Sequence, residues 1–213
     1  MKKLIFTTIL IVSIFSIPAF GQFNLDFSAG INNSFNSFEN VTGFSPESRV
    51  GYFIGVAPNY QVLNQLHIGV DFQYSRRAFG VEGNGLLSTF YRFNYFDFIP
   101  EINFDITRFL TLGIGLKYSV KLKEEFQFDG EEFREALSEL EIANSTDFGI
   151  TSKVSANYKN VFIFLRYVFG IKENNSGITF TDIAGASIGT LNFNNRSLQV
   201  GVGYHLDFNS ENK

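Results

Sequence analysis

Residues 110–120 read LTLGIGLKYSV, and this stretch decides the fold class. An apolar or aromatic residue stands at every even position from 110 to 120, and the residues between them are Thr, Gly, Lys and Ser. A period of two residues is typical of a β-strand with one apolar face and one polar or small face. A helix would instead repeat its apolar residues every three or four positions.

The same alternation recurs along the chain and predicts eight strands. The composition agrees with an all-β protein, since 17% of the residues are aromatic and there are 19 Gly. The absence of cysteine excludes a disulfide scaffold and a thiolate metal site. The predicted strands are 23–31, 50–57, 66–75, 96–104, 110–120, 148–156, 161–169 and 198–208.

The first 21 residues are predicted to be a secretory signal peptide. Lys2 and Lys3 precede an uncharged stretch at 4–17, and Ala19-Phe20-Gly21 offers small residues for a cleavage before Gln22. The uncharged stretch is too short for a transmembrane helix, although an uncleaved anchor is the alternative. Residues 22–213 then form one domain. The formal charge of −4 becomes −6 without the two lysines, so no nucleic-acid partner is expected.

Two environments explain strands with one apolar face. In a soluble sandwich or lipocalin-type barrel this face points to a core, whereas in a membrane barrel it points to lipid. The connections favour the membrane barrel, because long and short ones alternate as outer loops and periplasmic turns do. We therefore predict an all-β, eight-stranded antiparallel up-and-down transmembrane β-barrel, monomeric, in the outer membrane. The long connections are 32–49, 77–92, 123–147 and 172–196, and the short ones are 60–65, 105–109 and 158–160.

Several of these strands also resemble a known family. The chain is similar to the PorT-like outer-membrane β-barrel domain family of Gram-negative bacteria. This resemblance implies the same fold and is compatible with a role beside a protein-secretion or gliding apparatus. It lies in VDFQYSRRAFG (70–80), NYFDFIPEINF (94–104), TLGIGLKYS (111–119), LRYVFGI (165–171) and NRSLQVGVGYHLDF (195–208).

The polar faces of the predicted strands carry many charges. An eight-stranded barrel is just wide enough inside for its own side chains, so unpaired charges there would be very costly. We predict a structural network of ion pairs in which Arg166 reaches an acid on the opposite wall. The alternatives are an ion path or a pair of catalytic carboxylates. The predicted network contains Asp26, Asp71, Asp97, Glu101, Lys117, Lys121, Lys153, Arg166, His205 and Asp207.

Little in the sequence predicts catalysis. The only histidines, His67 and His205, lie at strand ends near the periplasmic rim, and no Ser-His-Asp arrangement is proposed. The glycine pairs at 113–115 and 201–203 lie inside strands, without the helix of a nucleotide-binding loop. We expect a non-enzymatic barrel without catalytic residues, cofactor or metal. Its partners are outer-membrane lipid and a protein that meets the outer loops or the periplasmic rim. A narrow pore for a small ligand is the alternative, and a lipid-modifying enzyme is a weaker one.

The connection 123–147 has a pattern of its own. Apolar residues at 133, 136, 137 and 140 recur at helical spacing, with glutamates on the other face. This spacing is compatible with a short amphipathic helix that caps or plugs the barrel mouth. We favour the other interpretation, a solvated acidic loop. The Gly-rich connection at 173–190 is expected to pack over the opening.

Overall fold

The computed structural model describes residues 23–35, 44–83, 89–128, 131–136, 143–181 and 187–208. The predicted signal peptide, 1–21, lies outside these residues. The described chain contains no helix of the length and apolarity that a membrane crossing requires. Its nine strands are β1 (Phe23–Phe35), β2 (Phe44–Leu63), β3 (Leu66–Gly83), β4 (Thr89–Thr107), β5 (Leu110–Phe128), β6 (Arg134–Glu135), β7 (Thr146–Tyr158), β8 (Val161–Thr181) and β9 (Ser187–Asp207).

Eight of the nine strands close into a barrel. Their order is β4-β3-β2-β1-β9-β8-β7-β5, and β5 pairs with β4 to complete the ring. Every pairing is antiparallel, and β1 closes on β9 with Ala29 opposite Val202. The ninth strand, β6, has two residues and pairs only with the outer part of β5. The structure therefore confirms the eight-stranded up-and-down barrel.

Three tight turns lie at one end of the barrel. They connect β2 to β3, β4 to β5 and β7 to β8 through two residues each. In the third turn Lys159 has a φ of 54°, a left-handed backbone conformation that a side chain adopts only at a cost. The rings of Phe23 and Phe208 lie 5.8 Å apart at this same end, so both ends of the barrel chain meet the short turns. In outer-membrane barrels this is the periplasmic end.

The burial pattern decides which way the apolar faces point. On β8, Ile163 and Leu165 are exposed, whereas Phe164 and Arg166 between them are buried. The same holds around the ring, where large apolar side chains form the outer surface, whereas the lumen contains most of the buried polar side chains together with a few aromatic ones. A soluble sandwich or lipocalin-type barrel would show the reverse, so that alternative is wrong. The outward apolar band is the surface that hydrocarbon covers in a membrane barrel.

The strands extend further from the membrane than the alternation predicts. Residues 77–83, 123–128, 172–181 and 187–196 belong to β3, β5, β8 and β9, although they were expected to lie in loops. Register shifts between Phe169 and Glu173 and between Asn175 and Thr179 interrupt the period of two on β8, while the ladder to β9 continues. Backbone hydrogen bonds hold these segments, and outside the bilayer neither face has to be apolar.

The amphipathic helix, the less favoured interpretation of 123–147, is absent from the described part of this connection. Residues 131–136 are extended, and Arg134 and Glu135 pair with β5. The guanidinium carbon of Arg92 lies 3.6 Å from the ring centre of Phe133, and the amide of Ala136 donates to the carbonyl of Glu124. These contacts bind the segment to the strands, so a free helix does not form there. Residues 137–142 lie outside the described residues.

A charge at the middle of the outward face should destabilise the barrel. Leu165 lies at the middle of the exposed apolar run of β8, and Val161 lies on the same face at its periplasmic end. We expect Leu165→Arg to lower the free energy of unfolding by about 2–4 kcal/mol and Val161→Arg by about 0–1 kcal/mol, because the cost depends on depth. Equilibrium unfolding in lipid vesicles measures both values. Equal effects of the two variants would contradict a lipid-facing surface.

Candidate functional site

Four charged residues from four strands meet in the periplasmic half of the lumen, and we call them the inner cluster. Arg166 on β8 is 1% exposed. Its Nη2 lies 2.8 Å from Asp71 Oδ2 on β3 and 2.9 Å from Glu101 Oε1 on β4. Lys153 on β7 donates to the other oxygen of Glu101. Two cations and two carboxylates make this cluster neutral, which limits the cost of burying each charge.

Two glutamines extend the inner cluster across the lumen. Arg166 also donates to Gln199 Oε1 at 3.2 Å, and Gln73 donates to Asp71 at 2.7 Å. The amide of Gln199 donates to Gln73 at 3.4 Å. Neither glutamine is accessible to solvent. Together these bonds engage both Nη atoms of Arg166, whereas its Nε and Asp71 Oδ1 are buried without a hydrogen-bond partner among the described residues.

A second neutral group, the outer cluster, lies further from the periplasm. Asp97 is fully buried and accepts from Arg77 Nη2 at 2.6 Å, with Lys117 Nζ at 3.2 Å. Ser75 donates to the other side of Asp97 at 2.7 Å. Arg77 also donates to Asp147 at 3.0 Å, so two cations again face two carboxylates.

Arg77 and Asp147 were missed by the sequence analysis because both fell in predicted loops. The alternation did contain a signal for Arg77. Asp71, Gln73 and Ser75 lead to Arg77 in steps of two, and all four side chains face the lumen. Asp147 immediately precedes the predicted strand 148–156, whereas β7 begins at Thr146, two residues earlier.

Lys121 lies at the outer mouth and does not join either cluster. Its ammonium donates to Glu124 at 2.8 Å and to the carbonyl of Ala143 at 2.6 Å. Glu124 was likewise missed within a predicted loop. On β4, beyond the outward apolar band, burial raises the pKa of Tyr91 to about 12, and the charge of Glu124 adds to this effect. Polar contacts thus hold the start of the third long connection against the barrel mouth.

Two histidine–aspartate pairs surround the periplasmic opening of the lumen. His205 Nδ1 lies 2.6 Å from Asp26 Oδ1, and Asn59 donates to the other oxygen of this carboxylate. On the opposite side His67 Nε2 lies 2.7 Å from Asp105 Oδ2. Asp105 was not in the predicted set.

These pairs line a polar cavity of about 230 Å³, which we call the vestibule. Asp207 also lines it, at the exposed end of β9, and forms no ion pair with the residues that the structure describes. Phe162 closes one side, with its ring centre 4.4 Å from that of His205. The vestibule is the part of the lumen that opens toward the periplasm.

Three phenylalanines pack in the lumen beside the inner cluster. Phe53, Phe162 and Phe164 are buried, and the rings of Phe53 and Phe164 lie 5.7 Å apart. They fit because strand β9 carries glycines opposite them. A Cβ atom on Gly201 would lie 2.6 Å from Phe164 and 2.8 Å from Phe53, closer than real contacts permit. A side chain at this position would therefore have to displace one of the two buried rings.

The arrangement is more suited to filling the lumen than to chemistry. The carboxylates of both clusters accept from arginine or lysine, so their charge is already compensated. Within the described residues, no group of three or more His, Asp or Glu side chains is arranged to hold a metal ion. The thick layer of paired charges, amides and aromatic rings acts as a polar core.

Removing the shared cation of the inner cluster should destabilise the barrel. Arg166→Met leaves Asp71 and Glu101 with only Lys153 to compensate two buried carboxylates. We expect the free energy of unfolding to fall by about 3–5 kcal/mol. The temperature at which the purified barrel loses its folded mobility on a gel should fall with it.

Arg196→Met is the matched control, because Arg196 faces outward and contacts the ring of Phe169. It should change the transition temperature far less. An unchanged temperature for Arg166→Met would indicate a hydrated lumen rather than a packed ionic one.

Solved structures of similar architecture have low sequence identity to this chain. Ail, the attachment invasion locus protein of Yersinia pestis, is 16% identical, with 86% of this chain and 98% of that chain covered and a TM-score of 0.48. Neisserial surface protein A is also 16% identical, with coverages of 85% and 96% and a TM-score of 0.47. OprG from Pseudomonas aeruginosa is 10% identical, with coverages of 86% and 95% and a TM-score of 0.47. No curated protein sequence matches the chain.

A family model gives the clearest match. The model described as "Outer membrane protein beta-barrel domain" matches residues 16–175, about three quarters of the chain. This match spans most of the eight-stranded barrel, from before β1 into β8. The chain belongs to the family of outer membrane protein beta-barrel domains.

Proposed function

We propose that this chain is a non-enzymatic outer-membrane barrel that acts by binding a partner protein. The observation that carries the proposal is the filled lumen, in which Arg166 is 1% exposed between Asp71 and Glu101. A protein that neither passes a solute nor offers free catalytic groups acts through its surfaces. The two ends of the barrel are the surfaces that lipid leaves accessible.

Several features support a closed lumen. Gln73, Ile99 and Gln199 have no accessible surface, although they point to the barrel axis. The inner and outer clusters are each neutral, so neither offers a net charge that would attract ions. An eight-stranded barrel has room for its own side chains and little more.

The vestibule supports a partner on the periplasmic side. It presents Asp207 and the two histidine–aspartate pairs to the periplasm, around a cavity of about 230 Å³. Exposed polar groups of this kind are suited to the polar rim of a protein–protein interface, which contributes hydrogen bonds. The resemblance to PorT-like barrels makes a component of a protein-secretion apparatus the partner that we propose. The outer loops are the second surface.

Electrical recording tests the closed lumen. We expect wild-type protein to give no stepwise currents in planar bilayers. A variant with Arg77, Asp97, Glu101 and Arg166 all replaced by Ala should conduct. It loses two ion pairs from the lumen, Arg77–Asp97 and Arg166–Glu101, while its net charge stays the same. A variant with Arg196 and Glu125 replaced by Ala is the matched control outside the lumen. Ohmic currents from the wild type would support the narrow pore instead.

Site-specific crosslinking in native membranes tests the partner. A photoreactive amino acid at Asp207 reports on the periplasmic rim, and one at Glu132 reports on the outer side, since both residues are exposed. We expect one of these positions to yield a discrete protein adduct, while the same probe at the lipid-facing Leu165 yields none. The absence of an adduct from both positions in a strain that expresses the protein normally would contradict the proposal.

A further inference from the structure

A proline interrupts the hydrogen-bond ladder between β2 and β3. The pairs Val56–Phe72 and Asn59–Gly69 share one register, but the two β2 residues between them form no ladder pair with β3. This register places Pro58 opposite Val70. Because proline has no N–H, the carbonyl of Val70 receives no ladder hydrogen bond from that position.

The same interruption occurs between β4 and β5. Phe98 and Glu101 pair with β5 in one register, but the two β4 residues between them form no ladder pair with β5. Pro100 therefore lies opposite Leu116, whose carbonyl loses its ladder donor for the same reason. Pro100 also pairs with Val70 on its other side, so both interruptions lie on one row across four strands.

This row borders an apolar groove on the outer surface of the barrel. The groove has a volume of about 710 Å³. Its walls are side chains of the outward face, and lumen-facing residues such as Gly69 and Gly115 contribute to its floor. On β5 the outward apolar run extends from Leu110 to Leu122, so Leu116 lies at its middle. The walls include Tyr60, Ile68, Ile102, Ile114 and Ile150.

Two carbonyl groups without ladder donors are costly at this depth. Hydrocarbon offers no water to satisfy them, and each unsatisfied backbone group in a bilayer costs several kcal/mol. A ligand that supplies a donor would recover part of this cost. The groove thus has an apolar wall, and two of the residues that line it, Val70 and Leu116, have carbonyl groups without ladder donors.

We propose that this groove binds a membrane-dissolved hydrocarbon chain that carries a hydroxyl group, which donates to the carbonyl of Val70 or Leu116. The apolar wall selects the chain, and the acceptors select a donor. An ammonium group does not fit, because its charge would be uncompensated among hydrocarbon: Glu101, the acidic residue that lines the groove, faces the lumen and is engaged by Arg166 and Lys153. An amide fits less well than a hydroxyl, because its own carbonyl would need a further donor that the apolar wall does not offer.

Binding of 1-decanol to the full chain in lipid nanodiscs tests the proposal. Decyl methyl ether is the matched probe, because it has a similar chain and an acceptor oxygen but no donor. With concentrations expressed per membrane volume, we expect 1-decanol to bind about 5- to 10-fold more tightly, the effect of one hydrogen bond. Carbonyl carbon NMR signals of Val70 and Leu116 should shift with 1-decanol only.

A variant in which Pro58 and Pro100 are both replaced by Ala tests where the donor binds. Each alanine supplies the missing N–H, so the preference for 1-decanol over the ether should disappear. Pro46→Ala is the control, since Pro46 also lies on β2 but pairs with Val81, away from the groove. If the double variant does not fold, each single variant restores one donor. The NMR shift caused by 1-decanol should then disappear only at the carbonyl that regains its donor.

Two results would overturn the proposal. Equal affinity of wild type for 1-decanol and the ether would show that the groove does not select a donor. A preference that persists in the Pro58→Ala/Pro100→Ala variant, or in both single variants at both carbonyls, would place the selection elsewhere.

Discussion

The attraction between opposite charges across the lumen is the interaction on which the rest of this barrel depends. Arg166 on β8 reaches Asp71 on β3 and Glu101 on β4, which belong to the other side of the ring. These contacts join strands that share no backbone hydrogen bonds. Because the outer face packs only against lipid, which is as apolar as the side chains it touches, the interior has to supply the specific contacts between distant strands. Buried charges supply such contacts only when the alignment of the strands brings each charge to its partner.

Neutrality of each cluster explains why so many charges are tolerated. A single buried charge costs far more than a hydrogen bond returns, and a pair is tolerated only when its remaining polar groups are also satisfied. Here Gln73, Gln199 and Ser75 provide part of those additional bonds around the carboxylates and the guanidinium, while Asp71 Oδ1 and Arg166 Nε stay without a hydrogen-bond partner among the described residues. The glycines of β9 are the counterpart on the packing side, because they leave the volume that Phe162 and Phe164 fill. Polar satisfaction and packing therefore act on the same few positions.

The sequence predicts this fold well wherever lipid imposes a constraint. From Leu110 to Val120 the outward residues must be apolar and the inward ones need not be, so the alternation is complete and the strand can be recognised. Above the bilayer the outward face may carry any residue, and the alternation disappears although the ladder continues. Glu124 lies in that region. Arg77 and Asp147 were absent from the predicted network because they lie within two residues of predicted strand ends, where Arg76 and Thr146 interrupt the apolar positions of the alternation. The sequence predicts that the charges in the lumen form ion pairs, because charges in so narrow a space require partners. It does not predict which residue is the partner of each charge, because this depends on the stagger between strands.

Stagger also explains how two distant prolines come to act at one place. Pro58 and Pro100 are 42 positions apart in the sequence, yet the register of β3 with both neighbouring strands sets them on either side of Val70. In a soluble sheet, water would satisfy the carbonyls that proline leaves without donors, and the interruption would have little consequence. In a bilayer the same interruption leaves an acceptor among hydrocarbon. The chemistry of this surface thus arises from the backbone, on a face whose side chains alone would indicate nothing but lipid contact.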